Sequence, residues 1–491
     1  MNKIKKILLA LLIVFSLVII TGCNKKNEPD LSGYSMNAQK AIKDFVKSYG
    51  KNSKGYNNDA YVVSDFDNTT SIFDITYQCS VYQIETMAFK LTPAEMRSVL
   101  SIYTENDETS QKYINDIVSA YTELVNTFGE FTPHGVSDNN LDELHSNLYY
   151  KEFSTKLKSF YLYVEGIIDD PSACAWILYW YTNMSENEVY ELFKRSCLKY
   201  QYEDTKEVTW TSPSEIDSEM GIVSCSFLMG CSVTSSAKNM LKYYKDNGID
   251  VWICSASHVD GVRAAVDAFG LSDVITGVIG MTQKVVDGKL VSEYDYENGY
   301  PYVNNNGSWT KADKPIKALP SRDGKVKAIS NFLVPRYNKG PLAGFMDASG
   351  DFNFCTEFES MKLVICYNRA DRKITEGAGL VAIAAMYQKD NNIDLSKANK
   401  NGDTLYILQG RDENGRRSLR ESEYTLKYDA KDEKLLANDS NVTLLNYVKE
   451  NKLSLKNFFD TFALETSKDD SLIGIAHGYL GSYAGYHNIK E

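Results

Sequence analysis

Short, continuous apolar runs alternate with longer amphipathic stretches along this chain. The runs are bounded by charged or glycine-rich segments, a pattern typical of strands buried on both faces of a parallel sheet. The stretches at 235–246, 260–269 and 324–333 have the apolar spacing expected of helices. This alternation predicts an α/β fold with a parallel, Rossmann-like sheet. The predicted strands lie at 61–63, 249–254, 343–346 and 362–366.

A long helical stretch separates the first predicted strand from the second. Residues 75–204 contain amphipathic segments, including 93–103, 111–128 and 185–200. Ser185, followed by acidic residues, predicts the start of the last of these helices. A plain strand–helix–strand crossover is much shorter, so this stretch predicts an inserted α-helical domain.

The second half of the chain has a less regular pattern. Residues 274–291 predict strands with a turn at Asp287-Gly288. Residues 297–313, rich in Asn, Gly and Tyr, predict a loop or flap. Residues 371–491 mix short helices, a strand at 404–408 and polar loops. We predict that this last region is an extension packed on the core.

The N-terminus has the pattern of an export signal. Lysines precede the apolar run 8–20, which is shorter than the roughly 20 residues of a membrane span. The run ends in residues 20–23, Ile-Thr-Gly-Cys, which resemble a bacterial lipobox. The resemblance implies cleavage after residue 22 and attachment of lipid, palmitate included, to Cys23. A plain signal peptide or a short anchor is the alternative.

Composition narrows the choice of partners. Lys+Arg 53 against Asp+Glu 65 gives a net charge of −12, which argues against a nucleic-acid partner. The 34 tyrosines are either ordinary core and surface residues or the lining of a pocket for a cationic ligand. The chain has nine cysteines; apart from Cys23, no pair has metal-ligand spacing, and several lie in apolar runs. These predict buried thiols, although an exported protein could oxidise them.

Polar side chains that could take part in catalysis or binding follow several of the predicted strands. The carboxyl ends of parallel strands meet at one edge of the sheet, where open α/β folds bind ligands. We therefore expect two carboxylates, a hydroxyl, an ammonium and a second acidic pair to lie in one site. These residues are Asp65, Asp67, Ser255, Lys325, Asp347 and Asp351.

This equipment suits the transfer of a phosphoryl group. A carboxylate can attack phosphorus to form an aspartyl phosphate that water later opens. Asp65, directly after a strand, is the candidate nucleophile. Asp67 is placed to protonate the leaving oxygen and then to activate water. Asn68-Thr69 suits a turn that directs backbone N–H groups at phosphate.

The ordered motifs resemble those of the haloacid dehalogenase-like (HAD) phosphatase superfamily. Its first motif, Asp-x-Asp-x-Thr, matches Asp65, Asp67 and Thr69. Its later motifs match Ser255, Lys325 with Lys327 as a rival, and the pair Asp347 and Asp351. The resemblance implies that Thr69, Ser255 and Lys325 bind phosphate. It implies that Asp65, the Asp67 main-chain carbonyl, Asp347 and Asp351 bind Mg²⁺. Ser257 is either a turn residue or a ligand, and His258 is expected to cap the next helix.

The insertion after the first motif resembles the C1-type helical cap of the phosphoserine-phosphatase branch. A closer resemblance, to bacterial phosphorylcholine phosphatases, covers about residues 58–420 and is carried by 181–184, 255–257, 278–281, 324–327 and 408–412. The chain departs from that pattern after Asp74, where an acidic pair is missing. The implied organisation is a signal peptide at 1–22, a tether and leading helix at 23–56, a catalytic core at 57–74 and 235–370, a cap at 75–234 and an extension at 371–491.

The sequence thus predicts a Mg²⁺-dependent phosphomonoesterase, lipid-anchored on the extracytoplasmic face of a bacterial cell membrane. Its substrate is expected to be a small phosphomonoester, because a cap over the site excludes bulky ligands. Phosphocholine and phosphoethanolamine are the candidates, since the cap is rich in tyrosines and carries acidic side chains. The alternatives are a phosphotransferase with the same intermediate and a lipoprotein that binds ligands without catalysis.

Overall fold

The computed structural model of this protein describes residues 28–371, 377–436, 454–462 and 486–490, together with residues 446, 448, 450 and 451. The predicted signal peptide and Cys23 lie outside the described residues. Within those ranges, no helix has both the length and the apolar character needed to cross a membrane. No disulfide joins any of the eight cysteines that they contain.

An eight-stranded sheet forms the centre of the molecule, in the order β12-β11-β10-β1-β4-β5-β8-β9. Strands β12 to β5 in that order are parallel, and the hairpin β8-β9 continues the sheet in the antiparallel direction. The predicted α/β fold with a mostly parallel sheet is therefore confirmed. In chain order the strands are β1 Tyr61–Ser64, β2 Lys206–Thr211, β3 Ser224–Met229, β4 Asp250–His258, β5 Gly277–Met281, β6 Gln283–Val286, β7 Lys289–Tyr294, β8 Tyr302–Asn305, β9 Ser308–Lys311, β10 Ala343–Met346, β11 Leu363–Tyr367, β12 Leu405–Gln409, β13 Arg411–Asp412 and β14 Ser418–Leu419.

Helices cover both faces of the sheet, which is why its central strands are apolar throughout. Side chains of β1 alternate between two cores: Val62 packs on one face, and Tyr61 and Val63 pack on the other. The α-helices are α1 Met36–Tyr49, α2 Ile75–Thr86, α3 Pro93–Ser101, α4 Glu108–Phe128, α5 Leu141–Ser146, α6 Leu148–Ile167, α7 Asp170–Leu178, α8 Glu186–Tyr200, α9 Ser235–Asp246, α10 Val259–Ala268, α11 Asp323–Ala328, α12 Val334–Tyr337, α13 Phe352–Glu357, α14 Gly377–Asp390, α15 Leu395–Asn401 and α16 Leu455–Phe462.

The insertion after β1 is a cap built from helices α2 to α8. It leaves the core at Ile72 and returns at Ser232, and these two residues form an antiparallel bridge at its base. Ser185 caps α8 as predicted, in a capping box with Glu188. The cap also contains the hairpin β2-β3, which the prediction of an all-helical insertion did not include.

The segment predicted as a loop or flap, 297–313, contains the hairpin β8-β9. The prediction of a loop was wrong, because Asn306-Gly307 is a sequence typical of the tight turn in a β-hairpin. Asn306 and Gly307 both have positive φ, at 52° and 87°, as the tight turn between paired strands requires. The strands pair from Tyr302↔Lys311 to Asn305↔Ser308.

The sheet also extends beyond the boundary drawn at residue 370. Strand β12 pairs in parallel with β11, from Leu363↔Leu405 to Tyr367↔Gln409. All five of its residues are buried. The region after residue 370 therefore supplies an edge strand of the central sheet as well as segments packed around it.

Candidate active site

Asp65 lies directly after β1, at the carboxyl edge of the sheet and between β4 and β10. Its main-chain N–H donates to the Phe345 carbonyl at 3.1 Å, which fixes the end of the strand. The chain then turns through Phe66–Thr70, with Asn68 in the left-handed region at φ 60° and ψ 0°. The strand end and this turn place the side chains of Asp65 and Asp67 in the same site.

Lys325, near the start of α11, is buried against two carboxylates. Its Nζ lies 2.6 Å from Asp65 Oδ1 and 2.6 Å from Asp351 Oδ1. Burial alone would lower the pKa of Lys325, but Asp351 and Asp65 raise it well above its ordinary value. The ammonium is therefore held charged beside the candidate nucleophile. The rival, Lys327, is half exposed and pairs with Asp323 instead.

Three buried carboxylates form a group with the geometry of a metal site. Ligand atoms of Asp65, Asp347 and Asp351 lie within 4.8 Å of one another. Burial, and then repulsion from Asp351, raises the pKa of Asp65 well above its ordinary value. A hard divalent cation would offset that repulsion, and carboxylate oxygens are the ligands that Mg²⁺ prefers. The residues present therefore fit Mg²⁺.

Neighbouring side chains orient Asp347 within this group. Thr69 Oγ1 donates to Asp347 Oδ1 at 3.0 Å, and Arg369 Nη1 donates to Asp347 Oδ2 at 3.2 Å. Thr69, predicted to bind phosphate, thus holds a carboxylate in this structure. Binding of Mg²⁺ by the Asp67 main-chain carbonyl stays a prediction. The Asp67 side chain is not part of the group formed by Asp65, Asp347 and Asp351.

The Asp67 carboxylate faces β4 and the start of the cap. Its Oδ2 accepts from Ser257 Oγ at 2.6 Å and from Ser255 Oγ at 3.2 Å, and its Oδ1 accepts from Ile75 N at 2.7 Å. Burial and then the nearby Asp74 raise the pKa of Asp67 to about 8. Ser257, whose role the sequence left open, is therefore part of the site. Ser255, predicted to bind phosphate, is fully buried behind it.

A cavity of about 530 Å³ lies between the core and the cap, above these residues. Asp65, Lys325 and Arg369 line its floor. The cap side is strongly acidic and includes one tyrosine. The cap residues that line it include Asp74, Thr76, Tyr161, Glu165, Asp169, Asp170 and Cys174.

A lysine of the cap, Lys158, lies against tyrosine rings on the cap side of the cavity. Lys158 Nζ lies 3.3 Å from the centroid of the Tyr77 ring, 4.5 Å from that of Tyr161 and 5.6 Å from that of Phe227. The side chain is fully buried. Burial lowers the pKa of Lys158 to about 7, against the opposing effect of Glu165. In either protonation state it covers rings that were candidates for binding a substrate cation.

The structure brings the predicted site residues together in one place, and it adds Arg369 to them. His258 caps α10 by accepting from Asp260 N, as expected. Arg369 was missed, although it comes two residues after β11 and could have been found by the strand-end rule that selected Asp65. The predicted residues that meet at this edge are Asp65, Asp67, Thr69, Ser255, Lys325, Asp347 and Asp351.

No protein-family model matches this chain, and neither does any curated protein. Among solved structures, a conserved protein of unknown function from Anaerococcus prevotii is similar over 82% of this chain and 99% of its own, at 24% identity and a TM-score of 0.62. A protein of unknown function from Bordetella pertussis has 11% identity and a TM-score of 0.31, over 63% of this chain and 89% of its own. A substrate-bound phosphoserine phosphatase has 10% identity and a TM-score of 0.26, over 63% and 85%. The first similarity shows a shared fold, and the other two are too distant to carry an argument.

Proposed function

We propose that this protein hydrolyses small phosphomonoesters through a covalent phosphoryl intermediate on Asp65. One observation carries the proposal: the Asp65 carboxylate lies 2.6 Å from the Lys325 ammonium and belongs to the buried carboxylate group with Asp347 and Asp351. A carboxylate in such surroundings can attack phosphorus while positive charge is held next to it.

The proposed reaction has two steps, which use Asp65 as the nucleophile and Asp67 as the acid and then the base. An Asp65 oxygen forms a bond to phosphorus as the bond from phosphorus to the ester oxygen breaks, and Asp67 gives that oxygen a proton. Water then attacks the aspartyl phosphate, Asp67 takes the proton from the water, and phosphate leaves as the Asp65 carboxylate is restored. Mg²⁺ bound by Asp65, Asp347 and Asp351 would neutralise phosphoryl charge. Lys325 adds a second positive charge at the same place.

Phosphate release from a panel of small phosphomonoesters tests the proposal. Asp65→Asn should abolish turnover of every substrate that the wild type accepts, because an amide cannot form the acyl phosphate. Activity should disappear in excess chelator and return with Mg²⁺. Asp246→Asn, an exposed carboxylate on α9, is the matched control and should keep full activity. Near-normal turnover by Asp65→Asn would refute the mechanism.

For the substrate, we propose an ester whose leaving group carries a primary ammonium, phosphoethanolamine rather than phosphocholine. On the cap side, Glu165 lines the cavity, and a carboxylate accepts hydrogen bonds from an ammonium. A quaternary ammonium donates none and depends on aromatic faces. The Lys158 ammonium already lies over the Tyr77 ring and 4.5 Å from the centroid of the Tyr161 ring.

For location, we propose that the enzyme is exported and held at the bacterial cell membrane by lipid on Cys23. The support is the sequence of residues 8–23 and the polar segment that separates them from α1. Cys23→Ala should move the protein from the membrane to the soluble fraction without changing kcat. A variant still bound to the membrane would favour an uncleaved N-terminal anchor.

A further inference from the structure

The turn that carries the catalytic aspartates contains one residue in an unfavourable conformation. Asn68, at φ 60°, lies in the left-handed region, which is unfavourable for non-glycine residues and which Asn tolerates better than most. Its own N–H donates to the Phe73 carbonyl at 3.3 Å. Because Asn68 follows Asp67 directly, its conformation sets the direction of the chain on either side of the acid.

A buried arginine from a distant part of the chain donates two hydrogen bonds to Asn68. Arg411 Nη1 donates to the Asn68 carbonyl at 2.9 Å, and Arg411 Nη2 donates to Asn68 Oδ1 at 3.3 Å. The guanidinium therefore contacts both the main chain and the side chain of one residue. A flexible point charge such as Lys cannot reproduce this planar fork.

The arginine is itself held in place. Glu413 Oε1 accepts from Arg411 Nε at 3.0 Å and from Nη2 at 2.7 Å, and Lys427 Nζ lies 3.2 Å from the same carboxylate. Arg411 is 1% exposed and Glu413 is fully buried. Arg411 comes two residues after β12, at the start of β13, so the parallel sheet brings it to the same edge as the catalytic residues.

We propose that Arg411 is a positioning residue for the catalytic turn, acting through Asn68. The inference rests on the proposed function and deepens it. Asn68 lines the described cavity and Arg411 does not, so Arg411 would act on the site through Asn68. Its loss should therefore lower kcat by letting the turn sample other conformations, while KM changes little.

The same segment offers a matched control. Arg417 is also buried, but its guanidinium donates to Ser232 Oγ at 3.1 Å and to Thr205 Oγ1 at 3.1 Å, at the base of the cap. Arg417→Met removes a buried guanidinium without touching the turn. It should lower the thermal stability and leave kcat within about twofold of the wild type.

The experiment compares Arg411→Lys, Arg411→Met and Arg417→Met in the full chain by two readouts. Hydrogen exchange of a peptide spanning 65–71 reports on the turn without any substrate, and kinetics with the best substrate of the wild type give kcat and KM. Arg411→Lys should speed exchange in the turn and lower kcat by about tenfold or more, with KM within about threefold. Arg417→Met should leave exchange in the turn unchanged.

Two results would overturn the inference. One is exchange and kcat in Arg411→Lys that equal the wild type. The other is an effect of Arg417→Met as large as that of Arg411→Lys, which would assign Arg411 to stability alone. If Arg411→Met fails to fold, Arg411→Lys still decides the question. If the wild type hydrolyses no phosphomonoester, the proposed function fails, while the exchange readout tests the positioning role separately.

Discussion

Lys325 and Lys327 occupy the same short helix, yet only Lys325 contacts the buried carboxylates Asp65 and Asp351. The sequence could not separate them, because the start of α11 fixes which side of the helix points inward. Thr69 and Ser255 lie beside the carboxylates with which motif spacing grouped them, but their hydrogen-bond partners were not predictable, and their binding of phosphate stays a prediction. Such partners depend on rotamers, and these are set by packing between segments that are far apart in the chain.

The two lysines provide a prediction with a built-in control. Lys325→Met should lower kcat by about a hundredfold or more, because it removes the charge that faces Asp65 and Asp351. Lys327→Met removes an equal charge from a half-exposed side chain and should leave kcat unchanged. Steady-state phosphate release by the two purified variants checks this. Equal activity in both would show that Lys325 has no part in the reaction.

Lys158 makes the free energy of unfolding depend on pH in the alkaline range. Burial lowers its pKa to about 7 in the folded protein, whereas an unfolded lysine keeps its proton until about pH 10.4. Between these values the unfolded chain binds more protons, so this residue makes stability rise with pH. The free energy of unfolding of the wild type should therefore rise relative to Lys158→Met by up to about 1.4 kcal/mol per pH unit between about pH 8 and pH 10.

Urea unfolding at several pH values measures this difference. Lys199→Met is the control, since Lys199 also lies over tyrosine rings but is 40% exposed. Parallel pH profiles for the wild type and Lys158→Met would contradict the predicted effect of burial.

At the scale of elements, strand existence was predictable and strand position was not. The apolar runs at 343–346 and 404–408 were both predicted as strands, and both formed. Nothing local, however, indicates that β12 pairs with β11 at one edge of the central sheet. Pairing of parallel strands depends on long-range contacts, and a buried run of four apolar residues fits several neighbours equally well. The hairpin β8-β9 differs, because its Asn-Gly turn was a local signal.

In the part of the chain that the structure describes, β12 is an edge strand of the sheet, and a side chain bonds to the outer side of its backbone. Gln388 of α14, itself buried, accepts from Tyr406 N at 2.8 Å and donates to the Thr404 carbonyl at 2.9 Å. Gln388→Met removes both of these buried hydrogen bonds and should cost about 2–4 kcal/mol of unfolding free energy. Chemical denaturation measures the loss. Asn391→Ala, at an exposed position just after the same helix, should cost much less, and equal losses would argue against edge closure by Gln388.

At the scale of the whole molecule, the chain divides the work between two parts. The core supplies the carboxylate group, Lys325 and Asp67, which would act on any phosphoryl group that reaches them. The cap lines the other side of the cavity and would contact the rest of the proposed substrate. The length of the insertion was enough to predict a cap, but not which of its many tyrosines and carboxylates line the cavity. Packing selected Tyr161 and Glu165 for the wall and turned Tyr77 toward Lys158.

This division makes substrate preference a property of the cap. A charge-assisted hydrogen bond from a primary ammonium to a carboxylate is worth about 1.5–3 kcal/mol, or roughly tenfold to a hundredfold in affinity. We therefore expect kcat/KM for phosphoethanolamine to exceed that for phosphocholine by about tenfold, and to exceed that for an uncharged ester of similar size. Glu165→Gln should reduce this preference without reducing kcat for the uncharged ester, because Glu165 lies on the cap side of the cavity. Equal kcat/KM values for the three esters would remove the proposed role of the acidic wall. They would leave the chemistry of Asp65 and Lys325 unaffected, since the core acts only on the phosphoryl group that the three esters share.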